Sequence, residues 1–263
     1  ILTRVASSHL RVGTFQYIAA TQKIENLNIL VDYTIKRHFP QIKASKTKAL
    51  DLLNLVMEKQ CNLVVDWMRV GFIHGVMNTD NMAISGETID YGPCAFMDQY
   101  NPKTVFSSID YYGRYSYSNQ PLITKWNLSR FAETLLPFID KDKKKSIEIA
   151  SDNINTFDDL YYLKWNQMMR KKLGFIGNDE NGFLVCVDQD DDALLNAKKV
   201  FVENNFQNRV KFVKSNFSEL GSIIEMSKDF IGDRSLAGII ADIGVSSHQF
   251  DEQKRGFSFR FEG

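Results

Sequence analysis

The feature that most constrains the fold is a stretch, residues 45–70, that contains neither glycine nor proline. Apolar residues recur along it at helical spacing and form a wide stripe: Leu50, Leu53, Val56, Met57, Val64, Trp67 and Met68. A wide apolar stripe on a long helix is typical of a helix buried in a core. We therefore predict a long, mostly buried helix that Ser45 caps at its start.

The spacing of apolar residues in the rest of the sequence changes near Gly182. Before it, the periodicity predicts further helices at residues 24–37, 126–136 and 156–173, while the charged run 140–145 predicts a solvated turn or a helix start. After it, apolar runs predict strands at 183–187, 210–213 and 236–241, which alternate with helices at 191–203 and 218–229. Such alternation favours a parallel α/β sheet. We predict two domains, residues 1–181 and 182–263.

The charge and cysteine content of the sequence limit the binding partners and the cellular compartment that it favours. Lys plus Arg and Asp plus Glu number 32 each, so no net charge favours a nucleic acid or a membrane as partner. No apolar run reaches the roughly 18 residues of a membrane span. The three cysteines, Cys61, Cys94 and Cys186, are far apart and odd in number. They predict neither a disulfide framework nor a zinc site, and they fit a reducing cytoplasm.

The polar residues Asp80, Asn81 and Asp90 bracket a short run. Residues 82–84 and 87–89 predict two short strands joined by a two-residue loop that contains Gly86. In that register Asn81 faces Asp90, with Asp80 adjacent. Three oxygen-bearing side chains would suit a hard divalent cation that shares substrate phosphates. A polar hairpin base, in which Asn and Asp cap backbone amides, is the alternative, and the spacing leaves it open.

An Asp-Asn pair, a short hairpin and Asp-x-Gly resemble the catalytic and metal-binding loops of the protein-kinase fold. Longer runs resemble the SelO (YdiU) family of pseudokinase-fold enzymes over residues 1–177: TRVASSHLRVGTFQY, HGVMNTDNM, TIDYGP, DYYGRYSYSNQP and WNLSRFAETLLP. That family transfers AMP from ATP to hydroxyl groups of proteins and binds ATP in a flipped orientation. The resemblance implies an α+β kinase-like helical lobe, ATP with Mg²⁺ or Mn²⁺, and a protein substrate modified on Ser, Thr or Tyr hydroxyls.

The resemblance also assigns roles to residues of this chain. Asp80 would be the base that accepts the hydroxyl proton, and Asn81 and Asp90 would hold the metal. Arg4 and Arg11 would contact the phosphates of ATP; without the resemblance both would be ordinary surface arginines. The family's glycine-rich loop and strand lysine would lie before the first residue, so we expect both chain ends to be cut and the nucleotide cleft to be incomplete.

The runs GFLVCVDQDDDALLNAKKVF, SNFSEL and IIADIGVSSHQFDEQKRGFSFRFEG resemble another family, RsmH (MraW), over residues 182–263. Its members use S-adenosylmethionine to methylate the N4 atom of a cytosine in small-subunit ribosomal RNA. The resemblance implies a partial α/β Rossmann-like methyltransferase fold, with Asp188 on the ribose hydroxyls. Phe217, Asp242 and Gln249 would line the rest of the cofactor site. Alternatively, Asp188 and Asp242 merely end strands.

Three hypotheses therefore stand together. The chain is an AMP transferase of the SelO type, an RNA methyltransferase fragment, or an inactive fusion of two truncated proteins. The glycines before the second part, Gly174, Gly177 and Gly182, lack the G-x-G spacing of a cofactor loop, which weakens the methyltransferase hypothesis.

Overall fold

The computed structural model of the chain describes residues 3–173, 182–236 and 238–241. The chain divides into two compact units, Ile1–Met169 and Arg170–Gly263. In chain order the elements are α1 (Val12–Ala20), α2 (Ile24–His38), α3 (Lys48–Arg69), β1 (Phe72–Ile73), β2 (Ala95–Phe96), α4 (Gln120–Ile139), α5 (Lys143–Asn155), α6 (Phe157–Lys172), β3 (Leu184–Asp188), α7 (Asp191–Glu203), β4 (Val210–Lys214) and α8 (Leu220–Ile231). Among the described residues, no helix is both long and apolar enough to cross a membrane.

The long helix α3 is the centre of the first unit, as its apolar stripe predicted. Leu52, Leu53 and Val56 on this helix are completely buried. The predicted cap is wrong, because the residue at the helix start is Thr47. The Ser45 hydroxyl instead accepts the Thr47 backbone N–H at 3.0 Å and donates to the Asp51 carboxylate. It therefore shapes the turn that leads into the helix.

The helices α1, α2 and α4 pack with α3 around one apolar core. Phe15 of α1 meets Phe131 of α4 edge to face, with ring centroids 4.9 Å apart. The prediction for α4 was too short, since the helix begins before residue 126 with Pro121 in its first turn, where proline is tolerated. Helix α1 was not predicted. The charged run is a helix start, since the Asp142 carboxylate accepts the backbone N–H of Lys144 at 2.8 Å.

The predicted hairpin of residues 82–84 and 87–89 is wrong. The antiparallel pair in this region is β1 with β2, in which Phe72 faces Phe96 and Ile73 faces Ala95. The backbone groups of the predicted first strand are used elsewhere: Met82 accepts from Val12, and Ile84 donates to Leu10. Residue 83 instead forms an isolated antiparallel bridge with Arg11. Because these backbone groups already hydrogen-bond to residues that are distant in sequence, they are not available for a ladder between residues 82–84 and 87–89.

The second unit contains a βαβ arrangement. Strands β3 and β4 are parallel, in register from Leu184 against Val210 to Asp188 against Lys214, and α7 connects them. The first two predicted strands and both predicted helices of this part are confirmed. The third is wrong, because residues 236 and 238–241 form no strand. Leu236, Ile239 and Ile240 are each more than half exposed, with relative exposures of 58%, 56% and 58%, whereas a buried strand would hide them.

Candidate active site

Asp80 and Asn81 lie in a single 3₁₀ turn, Thr79–Asn81, that follows β1. The side chain of Asn78 starts the turn, since its Oδ1 accepts the Asn81 backbone N–H at 3.0 Å. The Asn81 side-chain amide donates to the Val76 carbonyl at 2.9 Å. That bond fixes the amide so that Oδ1 is the atom left to accept or to bind a cation.

The Asp80 carboxylate lies against the first turn of α1. A methyl group added at Gly13, the second residue of that helix, would come within 2.1 Å of Asp80 Oδ1. The carboxylate therefore occupies the space that any side chain at position 13 would need. The first turn of a helix carries partial positive charge from its free N–H groups, and acidic side chains are commonly placed there.

Arg11 is held beside the same turn. Its Nη1 donates to the Asp80 carbonyl at 3.3 Å. Its backbone lies in the bridge to residue 83, flanked by hydrogen bonds of 3.0 Å from Val12 to Met82 and 2.8 Å from Ile84 to Leu10. Within the described residues, the buried Nε of Arg11 has no hydrogen-bond partner. The structure thus brings Arg11 and Asp80 together and leaves a guanidinium nitrogen in need of an acceptor.

Arg4 contacts the segment of residues 87–88, which precedes Asp90. Its Nε donates to the Thr88 carbonyl at 3.2 Å, and its Nη2 is 3.6 Å from a Glu87 carboxylate oxygen. The other Glu87 oxygen accepts the Ser7 backbone N–H at 2.9 Å. Arg4 is therefore tied to the segment that leads to Asp90, with its side chain 43% exposed.

Asp90 is exposed and adopts a left-handed backbone conformation with φ of 57°. The carbonyl of Ile89, just before it, is 2.7 Å from Nε2 of the fully buried His74. Burial lowers the pKa of His74, against the opposing effects of the Ile89 hydrogen bond and the Asp90 charge. His74 is therefore a neutral hydrogen-bonding group below the loop.

A narrow cleft opens beside Asn81, with about 320 Å³ of empty space that includes its mouth. Side chains of α3, of the 77–83 segment and of α4 line it, among them Gln60, Trp67, Asn78, Asn81 and Asn127. Helix α4 holds this segment directly, since Asn127 donates to the Met77 carbonyl at 2.9 Å. The cleft therefore has a rigid helical floor.

Gln60 is the buried polar residue of α3 that faces this segment, and its amide donates to the Ala83 carbonyl. Replacing Gln60 by leucine will roughly keep the volume but remove one of the two donors to that carbonyl, which also accepts the Gly86 backbone N–H at 3.0 Å. We expect the free energy of unfolding to fall by about 0.5–1.5 kcal/mol, the net contribution of one hydrogen bond. Urea denaturation followed by tryptophan fluorescence measures this loss. Asn62→Leu, a polar-to-apolar change at an exposed position of the same helix, is the control, and an unchanged midpoint in Gln60→Leu would contradict the assigned bond.

The residues present fit a hard divalent cation. Asn81 offers an amide oxygen whose orientation is fixed, and Asp90 offers an exposed carboxylate. In the part of the chain that the structure describes, no group of three or more His, Cys, Asp or Glu side chains is placed to hold a metal ion. A cation bound by one Asn and one Asp would complete its coordination shell with water and phosphate oxygens. Mg²⁺ is commonly coordinated in this way, whereas zinc is not.

The predicted cofactor residues of the second part are only partly described. Asp188 ends β3, where its Oδ1 accepts the Asp190 backbone N–H at 2.9 Å and its carbonyl accepts that of Ser215 at 3.1 Å. Phe217 follows β4 and is 38% exposed. Asp188 thus lies at the carboxyl end of β3, and Phe217 lies beyond the carboxyl end of β4, on the same edge of the parallel pair. Asp242 and Gln249 lie outside the described residues.

Comparison with known proteins decides the family. The family model described as "Protein adenylyltransferase SelO" matches residues 1–236. The chain belongs to the SelO family. A SelO relative from Pelagibacter ubique, named "Protein nucleotidyltransferase YdiU", is 66% identical over 180 residues, which cover 68% of this chain and 37% of the relative. Relatives of the same name from Bacillus cytotoxicus and Brevibacillus brevis are 63% identical over 180 residues and 50% identical over 225 residues.

The residues covered by these matches can be compared with the predicted domain boundary near residue 182. The chain spans less than half the length of these SelO relatives, with 37%, 36% and 46% of each covered. The match to the SelO model continues past residue 177, where the predicted resemblance stopped, and ends at residue 236. These matches do not support a methyltransferase segment, so the RsmH resemblance of residues 182–263 stays a prediction.

Sequence reasoning missed three residues that hold the site. Gly13, Gln60 and Asn127 contact or support the 77–83 segment, and the sequence analysis assigned none of them a role. A signal existed for Gln60, which interrupts the apolar stripe of α3, and for Gly13 and Asn127, which lie within runs that carry the SelO resemblance. A polar residue on the buried face of a helix needs a partner, and that need is visible in the sequence.

Proposed function

We propose that the chain carries the catalytic loop of a SelO-type enzyme that transfers AMP from ATP to hydroxyl side chains of a protein. The single observation that carries the proposal is the grouping of Asp80 and Asn81 on one turn with Arg11 held beside it. Arg11 donates to the Asp80 carbonyl while its buried Nε lacks a partner. The names of the SelO relatives, protein nucleotidyltransferases, support the same reaction class. We place the protein in the cytoplasm because its three cysteines are free.

In the proposed reaction the substrate hydroxyl oxygen attacks the α-phosphorus of ATP. The bond between that phosphorus and the bridging oxygen breaks, and pyrophosphate leaves with the electron pair. The Asp80 carboxylate accepts the hydroxyl proton. Arg11 and Arg4 bind phosphate oxygens, because guanidinium groups offer N–H donors in a geometry that matches phosphate. Transfer of this kind depends mainly on positioning and charge neutralisation.

Asn81 and Asp90 would hold a divalent cation, Mg²⁺ or Mn²⁺. When bound, such a cation neutralises phosphate charge and orients the leaving group. The chain's own contribution is the orientation of its ligands: the Val76 carbonyl fixes the Asn81 amide at 2.9 Å. The Asp90 carboxylate is exposed and therefore accessible to a nucleotide.

The proposal is tested by incubating the chain with Mn²⁺, casein as acceptor, and ATP labelled either on the α- or on the γ-phosphate. We expect label from the α-phosphate to enter protein and label from the γ-phosphate to stay out. Asp80→Asn should lower the transfer about 100-fold or more, since it removes the proton acceptor. Asp98→Asn, the same change at an exposed aspartate, is the matched control. Transfer of γ-label, or equal transfer by Asp80→Asn, would refute the assignment.

A second candidate function concerns residues 182–263. The observation that favours it is the parallel pair β3 and β4, with Asp188 at a strand end in the position from which acidic residues bind ribose hydroxyls. It proposes binding of S-adenosylmethionine by Asp188, Phe217, Asp242 and Gln249, with ribosomal RNA as substrate. It implies that the chain joins parts of two families, and the SelO match to residue 236 weighs against it. Calorimetric titration with S-adenosylmethionine tests it: no heat at millimolar ligand would exclude it.

A further inference from the structure

We propose that His74 is a positioning residue that sets the placement of Asn81 relative to Asp90, because one neutral imidazole holds the backbone on both sides. The inference rests on the proposed function, in which those two residues bind the cation. His74 itself lies outside the catalytic set: its side chain is completely buried, so it cannot reach a substrate.

The tautomer of His74 follows from its partners. Nε2 is 2.7 Å from the Ile89 carbonyl oxygen, which can only accept, so Nε2 carries the proton. Nδ1 is 3.4 Å from the Val76 backbone nitrogen, whose N–H can only donate, so Nδ1 is unprotonated. Both ring nitrogens are therefore used, and each joins a different segment of the loop.

The two segments lead directly to the proposed cation ligands. On one side, the Val76 carbonyl accepts the side-chain amide of Asn81 at 2.9 Å. On the other, the anchored Ile89 carbonyl belongs to the peptide that precedes Asp90. Asp90 has φ of 57°, a left-handed conformation that residues other than glycine adopt uncommonly and that the surrounding structure must hold. Anchoring the Ile89 carbonyl holds that peptide plane.

The ring is itself held from other directions. The Trp67 indole lies with its centroid 5.3 Å from that of the imidazole, at an interplanar angle of 34°. The backbone N–H of His74 donates to Gln120 Oε1 at 3.0 Å, which ties this residue to the start of α4. Trp67 also donates to the Thr88 hydroxyl at 2.9 Å. The imidazole therefore has a fixed position from which it can define the distance between its two partners.

The test measures Mn²⁺ binding by the whole chain, with no nucleotide, from the electron paramagnetic resonance signal of the free ion. Replacing a group that orients a metal ligand typically weakens metal affinity about 10–100-fold. We expect His74→Ala to raise the Kd of Mn²⁺ by about tenfold or more. His74→Gln keeps a donor for Ile89 and His74→Asn keeps an acceptor for Val76, so each should recover part of the lost affinity. Near-UV circular dichroism establishes that each variant is folded.

His38→Gln is the matched control, because His38 is a partly buried histidine that hydrogen-bonds Ser8 instead. It should leave the Kd unchanged. Asn81→Ala and Asp90→Ala separate the two proposals. If these weaken Mn²⁺ binding and folded His74 variants all bind like the wild type, the positioning role is wrong while the cation site stands. If Gln and Asn lose as much affinity as Ala, the role is generic packing and the proposal fails. If Asn81→Ala and Asp90→Ala bind Mn²⁺ normally, both proposals fail.

Discussion

Replacing Gly13 by alanine will remove most of the proposed AMP transfer while leaving the protein folded. The added methyl group would be 2.1 Å from Asp80 Oδ1, a distance at which one of the two must move. The carboxylate is the mobile partner, because position 13 is fixed within α1. Displacing a reacting group by about 1 Å costs on the order of 100-fold in rate. We therefore expect transfer of the α-phosphate label to fall about 100-fold.

The matched control is Gly92→Ala. It makes the same change beside the other acidic residue of the site, but the new Cβ would lie 3.9 Å from Asp90 Oδ1, an ordinary contact. This variant should keep transfer within about twofold, since surface changes without a clash have small effects. Alanine is also a better helix residue than glycine by about 1 kcal/mol, so Gly13→Ala should not unfold α1. If Gly13→Ala transferred the label at the wild-type rate, the observed position of the Asp80 carboxylate would not be required for the reaction.

The periodicity of the sequence predicts the helices well because their burial is one-sided and local. The stripe on α3 and the alternation of β3, α7 and β4 are each encoded in neighbouring residues. The sequence also indicates Asp80, Asn81 and Asp90, through their spacing together with the SelO resemblance, and Arg11 through the resemblance alone. The structure groups Asp80, Asn81 and Arg11, and it links the segment of Asp90 to them through His74.

The geometry behind that grouping could not be predicted. A hairpin register seemed sufficient to bring Asn81 to Asp90, yet the backbone of residues 82–84 pairs with Leu10 and Val12. Those partners are about 70 residues distant in sequence, and no local pattern encodes such a choice. The need for Gly13 is hidden for the same reason, because it depends on a carboxylate that arrives from a distant segment. Sequence pattern identifies residue types, whereas long-range packing decides which of them meet.

Replacing Phe131 by alanine will strongly destabilise the first unit. Phe131 is completely buried on α4 and packs edge to face on Phe15 of α1, with centroids 4.9 Å apart. Truncation removes the apolar contacts and leaves a cavity that neighbouring helices can fill only in part. Such changes cost about 3–5 kcal/mol. Because a typical domain has only about 5–15 kcal/mol of net stability, we expect a clearly lower urea midpoint.

Tryptophan fluorescence makes this measurement specific to the first unit, because the three tryptophans, Trp67, Trp126 and Trp165, all lie within it. Leu122→Ala is the matched control on the same helix, since Leu122 is 64% exposed and its loss should change the free energy of unfolding by no more than about 0.5 kcal/mol. The comparison also bears on the site. Helix α4 holds the segment of Asp80 through Asn127, so a loosened α4 should lower the proposed AMP transfer before the unit unfolds. Equal midpoints for both variants would contradict the packing of α4 against α1.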